Sequence, residues 1–348
     1  MARSKTGTFR IRKTRAAQAA DKAHPRSWFR TVAGVVLRDL ETHDLPGRLQ
    51  EPGGFLWVDL DNGSHSQLAL LEKVFHLHPL LIEDAASPNG RVKLEEYPGC
   101  LFVVVRAVRY VRETEDPHDI ETFNLACVLG PNYLITLHGS HAPGIEAVWE
   151  RIQRSPDLLE RGAARTLHAV LDASVDAYFP IVDQLDEFID SIEERVFVRF
   201  DDAARHDIFG VKRLVLQLKR HLAPQREVFN FLTHRPCALV PPDVQIYFRD
   251  IYDHVIRLNE SLDMYRDLVS STMEAYLTQI SNRLNVVTKG LTVVATLSVP
   301  FVVVSGMWGM NFARIPLSGW PHGFWLMFAI QLGLGGALVW LLRRRGLL

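Results

Sequence analysis

The side chains able to do chemistry in this chain are amides, hydroxyls and carboxylates at helical spacing, with no activated nucleophile among them. Gly309-Met310-Asn311, between Trp308 and Phe312, closes one uncharged apolar run, and a second run follows after a short loop. That placement makes the run a candidate lip of a pore. On one 3.6-residue face upstream stand Glu274, Ser281, Asn285, Thr288, Leu291 or Thr292, Ala295, Val299, Val302 and Gly306. Polar members gather at one end and small or β-branched members at the other, the composition of an ion path with polar rings and apolar constrictions. Thr292, Thr296 and Ser298 could equally bond backbone carbonyls inside an ordinary helix, and spacing leaves both readings open. No phosphate-binding glycine loop, nucleophile elbow or zinc-hydrolase pattern occurs, so an enzyme is not expected.

The elements that must hold these groups are two membrane spans. Gly290 to Ala313 contains no Asp, Glu, Lys, Arg or His, and Ile315 to Leu342 contains His322 alone. About 20 apolar helical residues cross a hydrocarbon layer of about 30 Å. One charge at the centre would cost roughly 2.5–3.5 kcal/mol on insertion scales, and helices of a soluble core would carry a polar stripe. Arg283 and Lys289 precede the first span, Arg343-Arg344-Arg345 follow the second, and only Arg314 lies between. The positive-inside rule puts both termini in the cytoplasm and the loop outside. A cell membrane is expected ahead of the mitochondrial inner membrane, because the basic N-terminal stretch lacks the apolar face of a transit peptide.

The remaining chain reads as a soluble body. The whole chain's 39 basic and 40 acidic residues balance, which gives no electrostatic case for nucleic acid. Cys100, Cys127 and Cys237 have no metal-type spacing and read as small core residues. Residues 1–30 form a basic, poorly ordered tail without a signal-type apolar core. Apolar runs at Thr31–Leu37, Phe55–Leu60, Leu101–Tyr110 and Phe123–Leu137, with helical patterns at Ser66–Phe75 and Pro79–Ala86, predict an α/β domain over 31–142.

Helical segments Ile145–Arg154, Ala163–Arg199 and Ala203–Thr233 form a helical hairpin region over 143–240. A stalk helix spans 243–289, the first span 290–312, the loop 313–322, the second span 323–342 and a basic tail 343–348. From Ile251 to Leu284 apolar residues step by three and four. A helix from Asp243 to Met310 would run about 100 Å, which calls for packing against copies of itself.

An acidic row, Asp183, Asp186, Glu187, Asp190, Glu193 and Glu194, could attract cations weakly, but the next helix offers Lys212, Arg213, Lys219 and Arg220, and pairing across that hairpin or plain solvation is expected instead. His76 and His78 sit two apart, a spacing that suits surface or capping roles better than a metal.

The signature Gly309-Met310-Asn311 resembles that of the CorA family of magnesium channels. Tyr247-Phe248-Arg249-Asp250-Ile251-Tyr252-Asp253-His254 and Tyr265-Arg266-Asp267-Leu268 resemble its stalk. His78-Pro79-Leu80-Leu81-Ile82-Glu83-Asp84, Lys93-Leu94-Glu95-Glu96-Tyr97 and Asp176-Ala177-Tyr178-Phe179-Pro180 are similar to its cytoplasmic domain. The resemblance implies a homopentamer in membrane lipid, an α/β cytoplasmic domain on long stalk helices, and a pore lined by the first span.

By position, the resemblance implies that Gly309, Met310 and Asn311 form the selectivity filter. Glu274, Asn285, Thr288, Leu291, Val299 and Val302 would line the pore. It also implies a regulatory divalent site where Asp84 of one subunit faces Asp250 of the next, with Glu83 and Asp172 nearby. Mg²⁺ is both the implied cargo and the implied regulator, because a neutral amide ring suits an ion that sheds water reluctantly.

A sensor has a physical rationale, since a double charge falling through an inward-negative potential gains about 4.6 kcal/mol per 100 mV. Transport of Co²⁺, Ni²⁺ or Zn²⁺ is the alternative, although the proposed face carries no Cys or His. A membrane-anchored sensor or scaffold is a third reading. The loop Ala313-Arg314-Ile315-Pro316-Leu317-Ser318-Gly319-Trp320 has no acid, so the resemblance does not extend to a carboxylate ring at the outer mouth.

Overall fold

The computed structural model describes residues 11–12, 25–88, 90–110, 120–139, 141–199, 204–310 and 319–345. They divide into two compact units, Met1–Met273 and Glu274–Leu348. In the first, strands β1 (Ile11–Arg12), β2 (Arg26–Arg30), β3 (Val36–Arg38), β4 (Phe55–Asp61), β5 (Lys93–Tyr97), β6 (Cys100–Tyr110), β7 (Ile120–Leu129) and β8 (Tyr133–His138) form one mixed sheet. Its order is β3-β2-β4-β8-β7-β6-β5; β4 runs parallel to β8, β1 pairs with β7, and the other pairs are antiparallel.

Strand periodicity explains the layers. Leu56, Val58 and Leu60 of β4, Phe102 and Val104 of β6, and Ile135 and Leu137 of β8 project to one face. There they pack with residues of α1 (Leu45–Leu49), α2 (His65–Lys73) and α3 (Pro79–Ala86). The alternate residues face the other way, where the Trp57 ring meets Trp149 of α4 (Pro143–Arg154) at 5.0 Å and α6 (Ala163–Asp176) crosses the strands. Both faces are covered, which is why the central strands read as continuous apolar runs.

Helices α5 (Asp157–Glu160), α7 (Phe179–Glu194), α8 (Ala204–Leu222) and α9 (Gln225–His234) complete this unit with the first part of α10 (Pro242–Trp308). A π-helical turn, Arg195–Arg199, ends α7. The second unit holds the rest of α10 and α11 (Gly323–Arg344), both long and apolar enough to cross a membrane. The expected fold class, an α/β domain followed by a long helix and two apolar spans, is what is found.

Several local expectations need correction. Arg26–Arg30 is a strand, not part of a basic tail, because Trp28 and Phe29 are buried in the sheet. The strand expected at Thr31–Leu37 is largely the turn joining β2 to β3; Gly34 has φ +82° and the Thr31 hydroxyl accepts the Val35 N–H. The run Phe123–Leu137 is a hairpin that turns at residues 130–132, and β5 was not expected. The helix expected over Ala163–Arg199 breaks at Ala177-Tyr178, where the Tyr178 hydroxyl donates to the Arg106 carbonyl at 2.7 Å.

The stalk seam does not wait for a second copy along its first half. Ile251, Val255, Leu258, Leu262, Tyr265 and Val269 are buried by the same chain. The acidic row turns toward α10 rather than α8. Glu193 accepts from the Thr272 hydroxyl at 2.8 Å, Asp186 pairs with the Tyr265 hydroxyl, and Lys219 pairs with Asp263. Cys100 and Cys127 are buried as expected, while Cys237 is half-buried.

Candidate ion path and metal centre

Within the second unit, α10 and α11 meet through a narrow set of residues. Gln331 of α11 donates to the Ser305 hydroxyl at 3.1 Å and approaches the Phe301 carbonyl at 3.5 Å. Val304, Ser305, Trp308 and Gly309 line a groove against Phe324, Met327, Phe328 and Gln331. At about 100° per residue, the α10 residues touching α11 centre roughly 130° from the face carrying Leu291, Ala295, Val299, Val302 and Gly306.

The expected pore face is therefore left bare by α11. Leu291, Val299 and Val302 are 69%, 57% and 69% exposed, and Glu274, Asn285 and Thr288 are exposed as well. The Thr292 hydroxyl donates to the Thr288 carbonyl at 2.8 Å, so it serves its own helix.

Helix α10 ends at Trp308, where the Gly309 N–H still bonds the Ser305 carbonyl at 3.0 Å. A methyl group on Gly309 would lie 3.3 Å from that carbonyl oxygen, tight but tolerable. Met310 is exposed, and Asn311 lies outside the described residues, as do 312–318 of the loop.

In the first unit a different cluster forms. Asp172 of α6 and Asp250 and His254 of α10 place one potential ligand atom each within 4.8 Å of one another. Asp250 and His254 share a helix face because they are four apart. His254 Nε2 is 3.7 Å from Asp250 Oδ1, and Nδ1 is 3.5 Å from Asp176 Oδ1 without an aligned hydrogen bond. Burial raises the Asp172 carboxyl above its ordinary range, and the Asp176 carboxylate raises it further.

Two carboxylates suit a hard cation such as Mg²⁺, and an imidazole nitrogen beside them broadens the set toward Co²⁺ or Ni²⁺. The chemistry of the donors fits a divalent ion. Nearby, His168 is held between Tyr247 and Phe248, and its Nε2 lies 3.2 Å from the Tyr247 carbonyl.

The other two expected acids sit elsewhere in the chain. Glu83 and Asp84 end α3, and Asp84 is 2.6 Å from the Lys93 ammonium, which also pairs with Glu95 at 2.9 Å. One subunit thus brings Asp172 and Asp250 together, but not Glu83 or Asp84 with them. His254 and Asp176 escaped the sequence reading, although the four-residue spacing of Asp250 and His254 was visible. His78 caps α3, its Nδ1 accepting the Leu80 N–H at 3.2 Å, the capping role its spacing suggested.

The family model for CorA-like Mg2+ transporter protein matches residues 52–344. The cobalt/magnesium transport protein CorA of Thermotoga maritima is 30% identical over 258 residues, 74% of this chain and 73% of that protein. The divalent cation transporter CmaX of Pseudomonas aeruginosa is 26% identical over 302 residues, covering 84% and 87%. The complete structure of the CorA magnesium transporter from Methanocaldococcus jannaschii superposes with a TM-score of 0.79 at 20% identity, covering 92% of this chain and 98% of that one. With its α/β body, its long helix and its two apolar spans, the chain belongs to the CorA-like Mg²⁺ transporter family.

Proposed function

We propose that this protein is a homopentameric channel that admits Mg²⁺ across the cell membrane, with both termini in the cytoplasm. The observation that carries this reading is the division of labour on α10: α11 covers one side of the helix and leaves bare the side bearing Asn285, Thr288, Leu291, Val299 and Val302. Five such faces around an axis would enclose a path with polar residues at its cytoplasmic end and apolar rings within the membrane. At the outer end, five Asn311 amides would hydrogen-bond the water shell of the entering ion. The names of the relatives, cobalt/magnesium and divalent cation transporters, support that class of cargo.

The cytoplasmic acids would act as a sensor. Asp172 and Asp250 would hold a divalent ion, joined across the subunit boundary by Glu83 and Asp84 of a neighbour once Asp84 leaves Lys93. Bridging by the ion would remove carboxylate repulsion and hold the closed state when internal Mg²⁺ is high. His254 favours a second reading of this sensor alone, in which Co²⁺ or Ni²⁺ is also sensed, because an imidazole binds those ions more readily than it binds Mg²⁺.

The test is uptake of Mg²⁺ into liposomes holding the purified protein under an inward-negative potential. Wild type should accumulate the ion, while Asn311→Ala should assemble normally and carry little. Near-normal uptake by an intact Asn311→Ala assembly would remove the amide ring from the mechanism.

A further inference from the structure

The contacts between the two spans repeat with a fixed period. Phe301 and Ser305 of α10 and Gly309 just past its end are four apart, and Gly335, Gln331 and Met327 are four apart on α11. A methyl group on Gly335 would lie 2.6 Å from the Phe301 ring, so the helices cross closely there. One turn toward the exit, the Gln331 amide bonds the Ser305 hydroxyl at 3.1 Å. One turn further, Gly309 faces Met327 and Phe328 across a groove of about 250 Å³. Antiparallel helices with matched four-residue steps keep these three layers in register.

The middle layer differs in kind from its neighbours. Phe301 against Gly335 is an apolar contact that tolerates rotation or a small slide, and Gly309 and Met327 line opposite sides of the groove. The amide of Gln331 is directional. In hydrocarbon a polar side chain seeks a partner because water is absent. Ser305 connects that amide to the lip, since its hydroxyl receives Gln331 and its carbonyl receives the Gly309 N–H at 3.0 Å. Pro300, one turn earlier, has no N–H to complete the helix ladder, so the end of α10 depends more on outside support.

We propose that Gln331 is a positioning residue: from the second span it fixes the last turn of α10 through Ser305, and so sets where Gly309 and Met310 stand. Its functional consequence rests on the reading of Gly309-Met310-Asn311 as the selectivity ring. A lip held by the directional Gln331 amide keeps the selectivity ring at a constant diameter, and diameter separates Mg²⁺ from Ca²⁺. The two ions differ in size, in water retention and in tolerance of irregular coordination.

Two measurements on the full-length protein test this. The first is amide hydrogen exchange of Gln331→Met, a change that keeps the side chain's length and removes its donor. Exchange over 305–310 should rise with that over 291–299 unchanged; no change over 305–310 overturns the positioning role, whatever ion the protein carries. The second is the ratio of Mg²⁺ to Ca²⁺ uptake in liposomes, which should fall about threefold in Gln331→Met and equally in Ser305→Ala. The double variant should fall no further than Gln331→Met alone, because that change already removes the bond to Ser305.

A wild-type ratio in Gln331→Met, or additive losses in the double variant, overturns the link to selectivity. Wild-type protein that carries neither ion would instead refute the channel reading, with exchange still deciding the positioning role.

Discussion

Replacing Asp172 with Asn should stabilise the protein without divalent ions and destabilise it with them. Asp172 and Asp250 offer carboxylate oxygens within 4.8 Å of one another. Two unit charges at that separation repel by about 0.9 kcal/mol at the dielectric of water and by about 3.5 kcal/mol at an effective value near 20. Asp250 has a side-chain exposure of 71%, so the lower end applies and about 1 kcal/mol is the fair figure. For a body of this size that corresponds to about 2–3 °C in the unfolding midpoint. Asp172→Asn in EDTA should therefore melt higher than wild type by about that amount.

Adding Mg²⁺ reverses the order. An ion at a hundredfold excess over its dissociation constant stabilises the native state by about 2.7 kcal/mol, and the variant should forfeit most of that gain. Thermal unfolding of the full-length protein in detergent, followed by intrinsic fluorescence in EDTA and in a Mg²⁺ series, reads both arms. The reasoning fails if Asp172→Asn melts lower in EDTA, which would make Asp172 a packing residue. It fails equally if the variant and wild type gain the same midpoint from Mg²⁺.

Further outcomes follow from acid–base groups and from the span crossing. Burial, then the nearby Arg165 guanidinium, lowers His168 to about 4, and burial lowers His221 to a similar value. Both histidines are neutral when folded and bind protons more readily when unfolded. Stability should thus fall as pH drops from about 6.5 to about 4, and His168→Phe should flatten that part of the melting-versus-pH curve. Burial alone would raise Asp59, but His138 and then Arg26 outweigh it and leave the carboxyl at about 2. Its contribution is present above about pH 4 and lost as pH falls toward 2, a loss that Asp59→Asn should abolish in the same titration. Gly335→Val should push the Phe301 ring aside and weaken the span pair by about 1–3 kcal/mol; Phe301→Leu should restore assembly, as read by native mass measurement.

The architecture was legible in the sequence wherever one physical constraint acts alone. An uncharged run of span length in Gly290–Ala313 has few alternatives, because the hydrocarbon layer penalises every charge along it. Helix α3 was expected at Pro79–Ala86 and was found there, since His78 and Pro79 mark its start locally. Expectations slipped where tertiary contact overrides local pattern. Arg26–Arg30 looked like the end of a basic tail, yet Trp28 and Phe29 find the sheet and Arg26 finds Asp59 at 2.6 Å.

The period of α10 and the order of polar and apolar residues on it were written in the sequence, as were the Gly309-Met310-Asn311 signature and its place at the end of a span. Those depend on local helix geometry and on the membrane as solvent. Only the tertiary structure decided which α10 face α11 covers, because periodicity names several possible stripes and a second helix selects one. Only it joined Asp172 to Asp250 and His254 across 78 and 82 residues of chain, and gave Asp84 to Lys93. Such pairings depend on how distant helices and strands dock, which no local spacing records.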